Sequence, residues 1–554
     1  MDAHTVDSKP AYVPAYPPVA SPLTLDSSTQ ARTSFPPPTF ASSVFSADKE
    51  RDALVSLDGD GTGDKDPSRV RLRRQLKARH IAMISIGGVI GTGLFLGSAQ
   101  SLQKGPLAIL LAYSIMATLV FSMMISLGEM ISHLPVPGGH IALASRMVDP
   151  AFGLTIGYTY AANWLLVFPT ELSAAAVLIS FWSDVNPAGW ITLCYVLVVA
   201  VNVGGTRVYG ELEWAFALIK ILTIVILVIV GIVITSGGVP DTSPIGFKFW
   251  QHPGPINDHF LDISPPSLAR FSAFWSCMTQ SSYAFIGSEI VSLAAGEAKN
   301  PSRSLPRAIR RLVFRIALFY IVGVFVIGLL VAYDDPSLGR HDGTALSSPF
   351  VIAIERAGIK TLPSVANAAF LMSAVSAASS GLYVASRSLF GLAVNGQAPK
   401  VLTKTNRWGL PWVSVLVSSA FGLLSLEATE QQESLPGLLS NCCSVGGLLS
   451  WTGICLTYIR FYHGASCQGI DRIVFPYASK LNPWAAYYAL AGFSVILTTQ
   501  GFEVFIRGNW STSTFITRYL LVVLFPIVYL AARWYLGCSL VPLPAIDFFS
   551  DSRE

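Results

Sequence analysis

The chain has 554 residues, of which 52% are hydrophobic and only 13% charged, with a mean hydropathy of +0.53 and a formal net charge of +4. So few charges cannot cover the surface of a water-soluble protein of this length, which places the chain in lipid and excludes an ordinary soluble enzyme. The small positive excess fits a membrane protein with basic inner loops and does not suggest nucleic-acid binding.

Residues 1–70 are rich in Pro, Ser, Ala and Thr, with a proline run at 36–38 and the acidic patch Asp58-Gly59-Asp60-Gly61. A segment this polar cannot bury enough apolar surface to fold, and it is expected to be a disordered cytoplasmic tail. It has no apolar signal-peptide core near its start, so the first span is expected to serve as an uncleaved signal. Lys9, Lys49 and Lys65 are candidate acceptors for turnover modification, which would make trafficking and ubiquitin machinery partners; a solvated tail also accounts for them. A transmembrane domain is expected over 71–536, followed by a short cytoplasmic tail, 537–554.

About twelve apolar stretches are long enough to cross a bilayer, near 81–99, 107–128, 152–182, 190–204, 214–236, 271–295, 313–333, 362–393, 412–426, 438–458, 484–505 and 515–535. The first carries Gly87, Gly88, Gly91, Gly93 and Gly97, and the sixth is interrupted at Gly287-Ser288-Glu289. Glycine lowers the cost of unwinding, and backbone freed within a membrane survives only where it lines a cavity. Two broken helices in corresponding places of two halves point to a transporter's binding site.

Lys and Arg concentrate in alternate connections, with Arg71, Arg73, Arg74, Lys77 and Arg79 before the first span and Lys299, Arg303, Arg307, Arg310 and Arg311 after the sixth. Both termini are therefore expected on the cytoplasmic side. This topology puts the triplet Asn509-Trp510-Ser511, which fits a glycan acceptor, outside. The longest outer connections are 237–267 and 334–361, and an apolar patch at 349–357 is expected to form a helix over the outer mouth. The seven cysteines lie in spans or inner segments; neither a disulfide framework nor a metal-ligand spacing is implied, and no cofactor is expected.

Several stretches taken in order carry a family resemblance. They are Leu76-Lys77-Ala78-Arg79-His80-Ile81 leading into Gly87-Gly88-Val89-Ile90-Gly91-Thr92-Gly93-Leu94-Phe95, then Leu127-Gly128-Glu129-Met130, and Tyr209-Gly210-Glu211 ahead of Ile219-Lys220. Phe285-Ile286-Gly287-Ser288-Glu289, Ala295-Gly296-Glu297-Ala298-Lys299-Asn300-Pro301, Leu305-Pro306-Arg307-Ala308-Ile309 and Leu382-Tyr383-Val384-Ala385-Ser386-Arg387 follow. Together they resemble fungal amino-acid permeases, the yeast-type branch of the amino acid/polyamine/organocation superfamily. The resemblance implies an all-α integral membrane fold of two inverted five-helix repeats, with helices one and six broken, followed by two peripheral helices.

An amino acid is a zwitterion, and moving it to mid-membrane requires replacing hydration at both ends. Where span one restarts, free N–H groups suit its carboxylate, and carbonyls released at the two breaks suit its ammonium. By resemblance, Gly91, Thr92 and Gly93 are assigned to the carboxylate, and Val89 and Ile286 offer carbonyls to the amine. Gly287 and Ser288 belong to the same binding set at the sixth break, and Tyr283 resembles the family's aromatic lid. Close helix packing and ordinary core filling are the alternatives for the glycines and for Tyr283.

Lys220 sits in an otherwise apolar span, where an unpaired charge costs roughly 2.5–3.5 kcal/mol on insertion scales. A lysine at this place stands, in related transporters without a sodium requirement, where sodium-coupled relatives bind the ion, which implies proton coupling. Its expected partners are carbonyls of span one and the hydroxyls Ser376, Ser379 and Ser380; snorkelling to the inner interface is the alternative. Glu171 is a proton-relay candidate without an obvious partner in sequence. Glu289 either bonds the unwound backbone or helps bind the amine or relay protons, and Glu129 either pairs with loop bases or helps form an inner gate.

The expected activity is import of amino acids by proton symport with alternating access, with protons, the amino acid and membrane lipid as partners and the plasma membrane as address. An exchanger on the same fold and a transporter-like receptor remain alternatives. A membrane enzyme is disfavoured, since no nucleotide loop or Ser/His/Asp constellation stands out. The spans show no excess of acidic residues, which favours neutral substrates.

Overall fold

A computed structural model describes residues 76–550, apart from 89–90, 96, 137, 184, 241–242, 299–300, 340–347 and 428–434. The expected tail at 1–70 and the candidate Val89 lie outside the described residues. Among those described, the architecture is helical, and the one extended pairing is an isolated parallel bridge between Leu76 and Ala298.

The first apolar stretch divides into α1 (Ala78–Gly87), α2 (Thr92–Phe95) and α3 (Gly97–Leu102). Next come α4 (Pro106–His133), a short α5 (Gly139–Met147), α6 (Pro150–Ile179), α7 (Pro187–Val203) and α8 (Thr206–Thr235). The sixth stretch divides into α9 (Pro266–Phe285) and α10 (Ile290–Ala294). The remainder is α11 (Pro301–Leu330), α12 (Pro349–Arg356), α13 (Leu362–Val394), α14 (Trp412–Ala420), α15 (Leu424–Glu427), α16 (Leu435–Cys467), α17 (Trp484–Thr499) and α18 (Thr512–Leu536). Helical segments thus fall on every apolar stretch. Among the described residues, six are single helices long and apolar enough to cross a membrane: α4, α6, α8, α13, α16 and α18.

Local chemistry sets the helix starts. Asp149 accepts the Phe152 N–H at 2.7 Å, and Pro150 follows at the position where its missing N–H costs nothing. Asn186 caps α7, also ahead of a proline. Within α6, Pro169 cannot donate to the preceding turn, and this irregular point lies two residues before Glu171.

The bundle core is α6 against α13, with α4 packed on α9 and α11, and α1 on α8. Helix α18 buries only Arg518 and Ala532, so its apolar sides face outward, as lipid allows. The patch expected to cover the outer mouth is α12, whose Phe350–Ile354 stretch is buried against α8, α11 and α13. The C-terminal segment folds back onto the bundle: Ile546 and Phe548 are buried, Phe548 meets Phe461 at 5.2 Å between centroids, and the Val541 N–H donates to Val148 O at 2.8 Å.

Candidate functional site

The two helix interruptions touch. Helix α9 ends at Phe285; Ile286 is extended with ψ 138°, and Gly287 takes φ +102°, a conformation other residues rarely adopt. A Cβ added at Gly287 would lie 2.4 Å from the Gly88 carbonyl oxygen, and one at Gly93 would lie 3.1 Å from Ala284 Cα. Glycine is needed at Gly287, where main chain meets main chain, and at Gly93 a side chain would fit only if its neighbour gave way. Ser288 Oγ donates to Phe285 O at 2.8 Å, and Tyr320 donates to Ala284 O at 2.8 Å, which satisfies carbonyls freed at the end of α9.

Between the interruptions lies a small hollow lined by Gly88, Gly91, Gly93, Tyr283, Ala284 and Ile286 from the broken segments. Helices α6 and α13 complete it with Trp164, Val167, Glu171 and Ala377. Glu171 is the one charged side chain in this lining, and its residue is 4% exposed. The Thr92 hydroxyl donates to its two oxygens at 3.0 Å each, and the Tyr283 hydroxyl donates to Oε1 at 3.2 Å. The backbone N–H of Thr92 also faces it, so a carboxylate of the protein occupies the place where span one restarts as helix. Gly91, Gly93, Tyr283, Ile286 and Glu171 thus line one hollow, Thr92 joins it through its bond to Glu171, and Gly287 and Ser288 follow Ile286 in the break.

Behind the hollow, Lys220 is 1% exposed and donates to Gly87 O at 2.6 Å, at the C-terminal end of α1. Burial on this carbonyl excludes snorkelling to the interface. The expected serine partners are corrected: Ser376 donates to Glu213 Oε2 at 2.8 Å, Ser379 meets the Asn202 amide at 3.1 Å, and Ser380 pairs with the Tyr209 hydroxyl at 3.0 Å. The reason is placement: the Lys220 ammonium is held on the Gly87 carbonyl, and Glu213, Asn202 and Tyr209 stand within hydrogen-bond reach of the three serines.

The other carboxylates have separate partners. Glu289, 1% exposed, accepts the Trp451 indole N–H at 2.9 Å and so joins the sixth break to α16. Glu129 is fully buried and takes a two-pronged bond from Arg472, Nε at 2.6 Å and Nη2 at 2.8 Å, plus the Asn482 amide at 3.0 Å. Its place is a tie between α4 and the connection after α16. Arg387 pairs with Glu297 at 3.3 Å and lies 4.1 Å over the Tyr383 ring, which stacks on Tyr209 at 4.2 Å.

Sequence reasoning had not assigned Glu213, Trp164, Val167 or Ala377 to the site. Glu213 carried a usable signal, since it lies seven residues before Lys220 and therefore on the same helical face. The apolar wall residues carried none, because apolar side chains in spans face lipid, core and cavity alike.

Comparison with known proteins gives a consistent picture. Residues 80–541 match the family model described as amino acid permease. The chain is 39% identical to the lysine-specific permease of Saccharomyces cerevisiae over 487 residues, covering 87% of this chain and 79% of that protein. It is 39% identical to the dicarboxylic amino acid permease of the same yeast over 465 residues, 82% and 76% of the two chains. To the proline-specific permease of Emericella nidulans it is 37% identical over 492 residues, 87% and 89% of the two chains.

Proposed function

The chain belongs to the amino acid permease family of multi-pass membrane proteins, and from that premise we propose that it imports an amino acid by proton symport, with Glu171 as the group that takes up the proton. The observation that carries this reading is the seat of Glu171: an internal carboxylate holds the Thr92 hydroxyl at 3.0 Å, at the end of the break where a substrate carboxylate would dock. Two carboxylates cannot share those donors while both are charged. Protonating Glu171 releases the donors to the substrate, so proton uptake and substrate binding favour each other.

In this reading twelve spans form two inverted five-helix repeats, spans one to five and six to ten, with two peripheral spans, and one bundle rocks around the midplane site. Carbonyls near Val89 and Ile286 take the substrate ammonium, Tyr283 closes over it, and Gly287 and Ser288 hold the sixth break open. Lys220 keeps the end of α1 in place through Gly87. Trp164, Val167, Ile286 and Ala377 are apolar, which supports a substrate with a neutral side chain. Both termini lie in the cytoplasm, the address is the plasma membrane, and the 1–70 tail is the element that trafficking and ubiquitin machinery would engage.

The test is reconstitution into vesicles with an imposed inward proton gradient. The wild type should accumulate amino acid uphill and stop when the gradient is dissipated. Glu171→Gln, neutral and of the same shape, should lose uphill accumulation yet retain exchange of internal for external substrate. Uphill accumulation by Glu171→Gln equal to that of the wild type would reject the assignment.

A further inference from the structure

Helices α1, α8 and α13 enclose a second polar cluster behind the hollow. Glu213 is 1% exposed and lies on the same face of α8 as Lys220, two turns earlier. Its Oε2 accepts the Ser376 hydroxyl at 2.8 Å. Among the described residues its Oε1 has no hydrogen-bond partner, and it lies against Gly87, where an added Cβ would come within 2.3 Å of it. Lys220 holds the same glycine by its carbonyl at 2.6 Å, so carboxylate and ammonium meet at one residue, the last of α1. Among the described residues, the titratable groups that act on this pair are Glu171 from α6 and Tyr209 on α8 itself; α13 presents the hydroxyls of Ser376 and Ser380.

Glu213, on the same face of α8, and Glu171, from the hollow, are the two buried carboxylates whose charges act on the Lys220 ammonium. If Glu171 were the sole counter-charge, its protonation would leave the ammonium isolated in a dry interior, and Lys220 would tend to give up its own proton. No net proton would then enter the site. A second carboxylate beside the lysine removes that difficulty.

We propose that Glu213 is a positioning residue that keeps Lys220 charged and seated on the Gly87 carbonyl while Glu171 gains and loses the transported proton. This deepens the proton-symport reading and rests on it. The lysine's charge is compensated from behind at every stage, so a proton added at Glu171 stays as net charge in the site.

The experiment compares the pH dependence of uptake in vesicles for the wild type, Glu213→Gln and Glu213→Asp, each normalised to inserted protein. Glutamine keeps the bond from Ser376 but not the charge; Glu171 then becomes harder to protonate, and the pH midpoint of Vmax/KM should move toward acid by about one unit or more, roughly a tenfold loss on the alkaline side. Aspartate keeps the charge one methylene further back and should give less than half that shift, so either variant alone reads the effect. In a Lys220→Met background the glutamine substitution should cause no acid shift, because the effect acts through the lysine. Equal loss at every pH with an unmoved midpoint in Glu213→Gln, or an acid shift in Glu213→Asp as large as that expected for glutamine, would overturn the proposal. Wild-type uptake without proton flux would instead sink the parent reading, and a proton-coupled wild type with unmoved midpoints sinks only the role of Glu213.

Discussion

Gly287→Ala puts one methyl group at the point where the two breaks touch. Gly287 has φ +102°, and holding a residue with a side chain in such a region costs about 1–3 kcal/mol. The new Cβ would stand 2.4 Å from the Gly88 oxygen and 3.0 Å from the Gly88 carbonyl carbon. Ordinary contact begins roughly 1 Å further out, and the obstructing atoms are main chain that cannot swing aside like a side-chain tip. Together these terms come to about 2–4 kcal/mol, which at 1.4 kcal/mol per tenfold lowers the population of the touching arrangement by roughly 30- to 1,000-fold. Initial uptake per inserted molecule should therefore fall at least about tenfold, with insertion followed by surface labelling. Gly97→Ala is the control, since nothing lies within 4 Å of its added Cβ, and it should transport normally. Wild-type uptake by Gly287→Ala at a wild-type surface level would refute the view that the closed approach of these two breaks is a working state.

Thr92→Val keeps the shape of the threonine but removes the donor shared by both Glu171 oxygens; with hydrogen bonds to a charged group worth about 1.5–3 kcal/mol, Vmax/KM should drop about tenfold or more, and Thr92→Ser should restore it. Arg472→Met leaves the fully buried Glu129 without its cation; breaking such a pair costs about 3–5 kcal/mol when both partners are buried, and somewhat less here because the Arg472 side chain is 21% exposed. The melting temperature of the detergent-solubilised protein should fall clearly, and Glu129→Gln in the same molecule should recover a large part of the loss; an unchanged melting temperature in Arg472→Met would show that the tie carries no load.

The positions of the helices were readable because apolar runs of span length leave little alternative, and the two interruptions were readable because glycine and polar residues inside such runs have few other uses. Gly287 and Thr92 were both visible on that ground. Side-chain pairing was much less so. The three serines of α13 recur at nearly helical spacing and were expected on Lys220, but a helix face presents the same hydroxyls to every neighbour, and only the packing reveals that Glu213, Asn202 and Tyr209 reach them first. Likewise the bond between Glu171 and Thr92 spans 79 residues of sequence, and that between Glu129 and Arg472 spans 343. Nothing local in a chain records contacts so distant. The lining residues Trp164, Val167 and Ala377 were illegible for a different reason, since in lipid an apolar residue has no preferred side.

The placement of Glu171 also bears on why the break carries a threonine rather than a third small residue. Gly91 and Gly93 give the main chain its freedom, and an added Cβ at Gly91 would already stand 3.3 Å from Glu171 Oε1. Between them Thr92 contributes a hydroxyl that turns the restart of the helix into a seat for a carboxylate belonging to the protein itself. An empty seat of exposed N–H groups would be costly at mid-membrane and would bind any passing anion. Glu171 lies at this seat and takes the Thr92 and Tyr283 hydroxyls, and a proton can neutralise a carboxylate where it cannot neutralise a serine or an amide. Under the proposed symport the same residue would protect the unloaded site and set the condition for loading it, which is the economy expected where a zwitterion and a proton travel together.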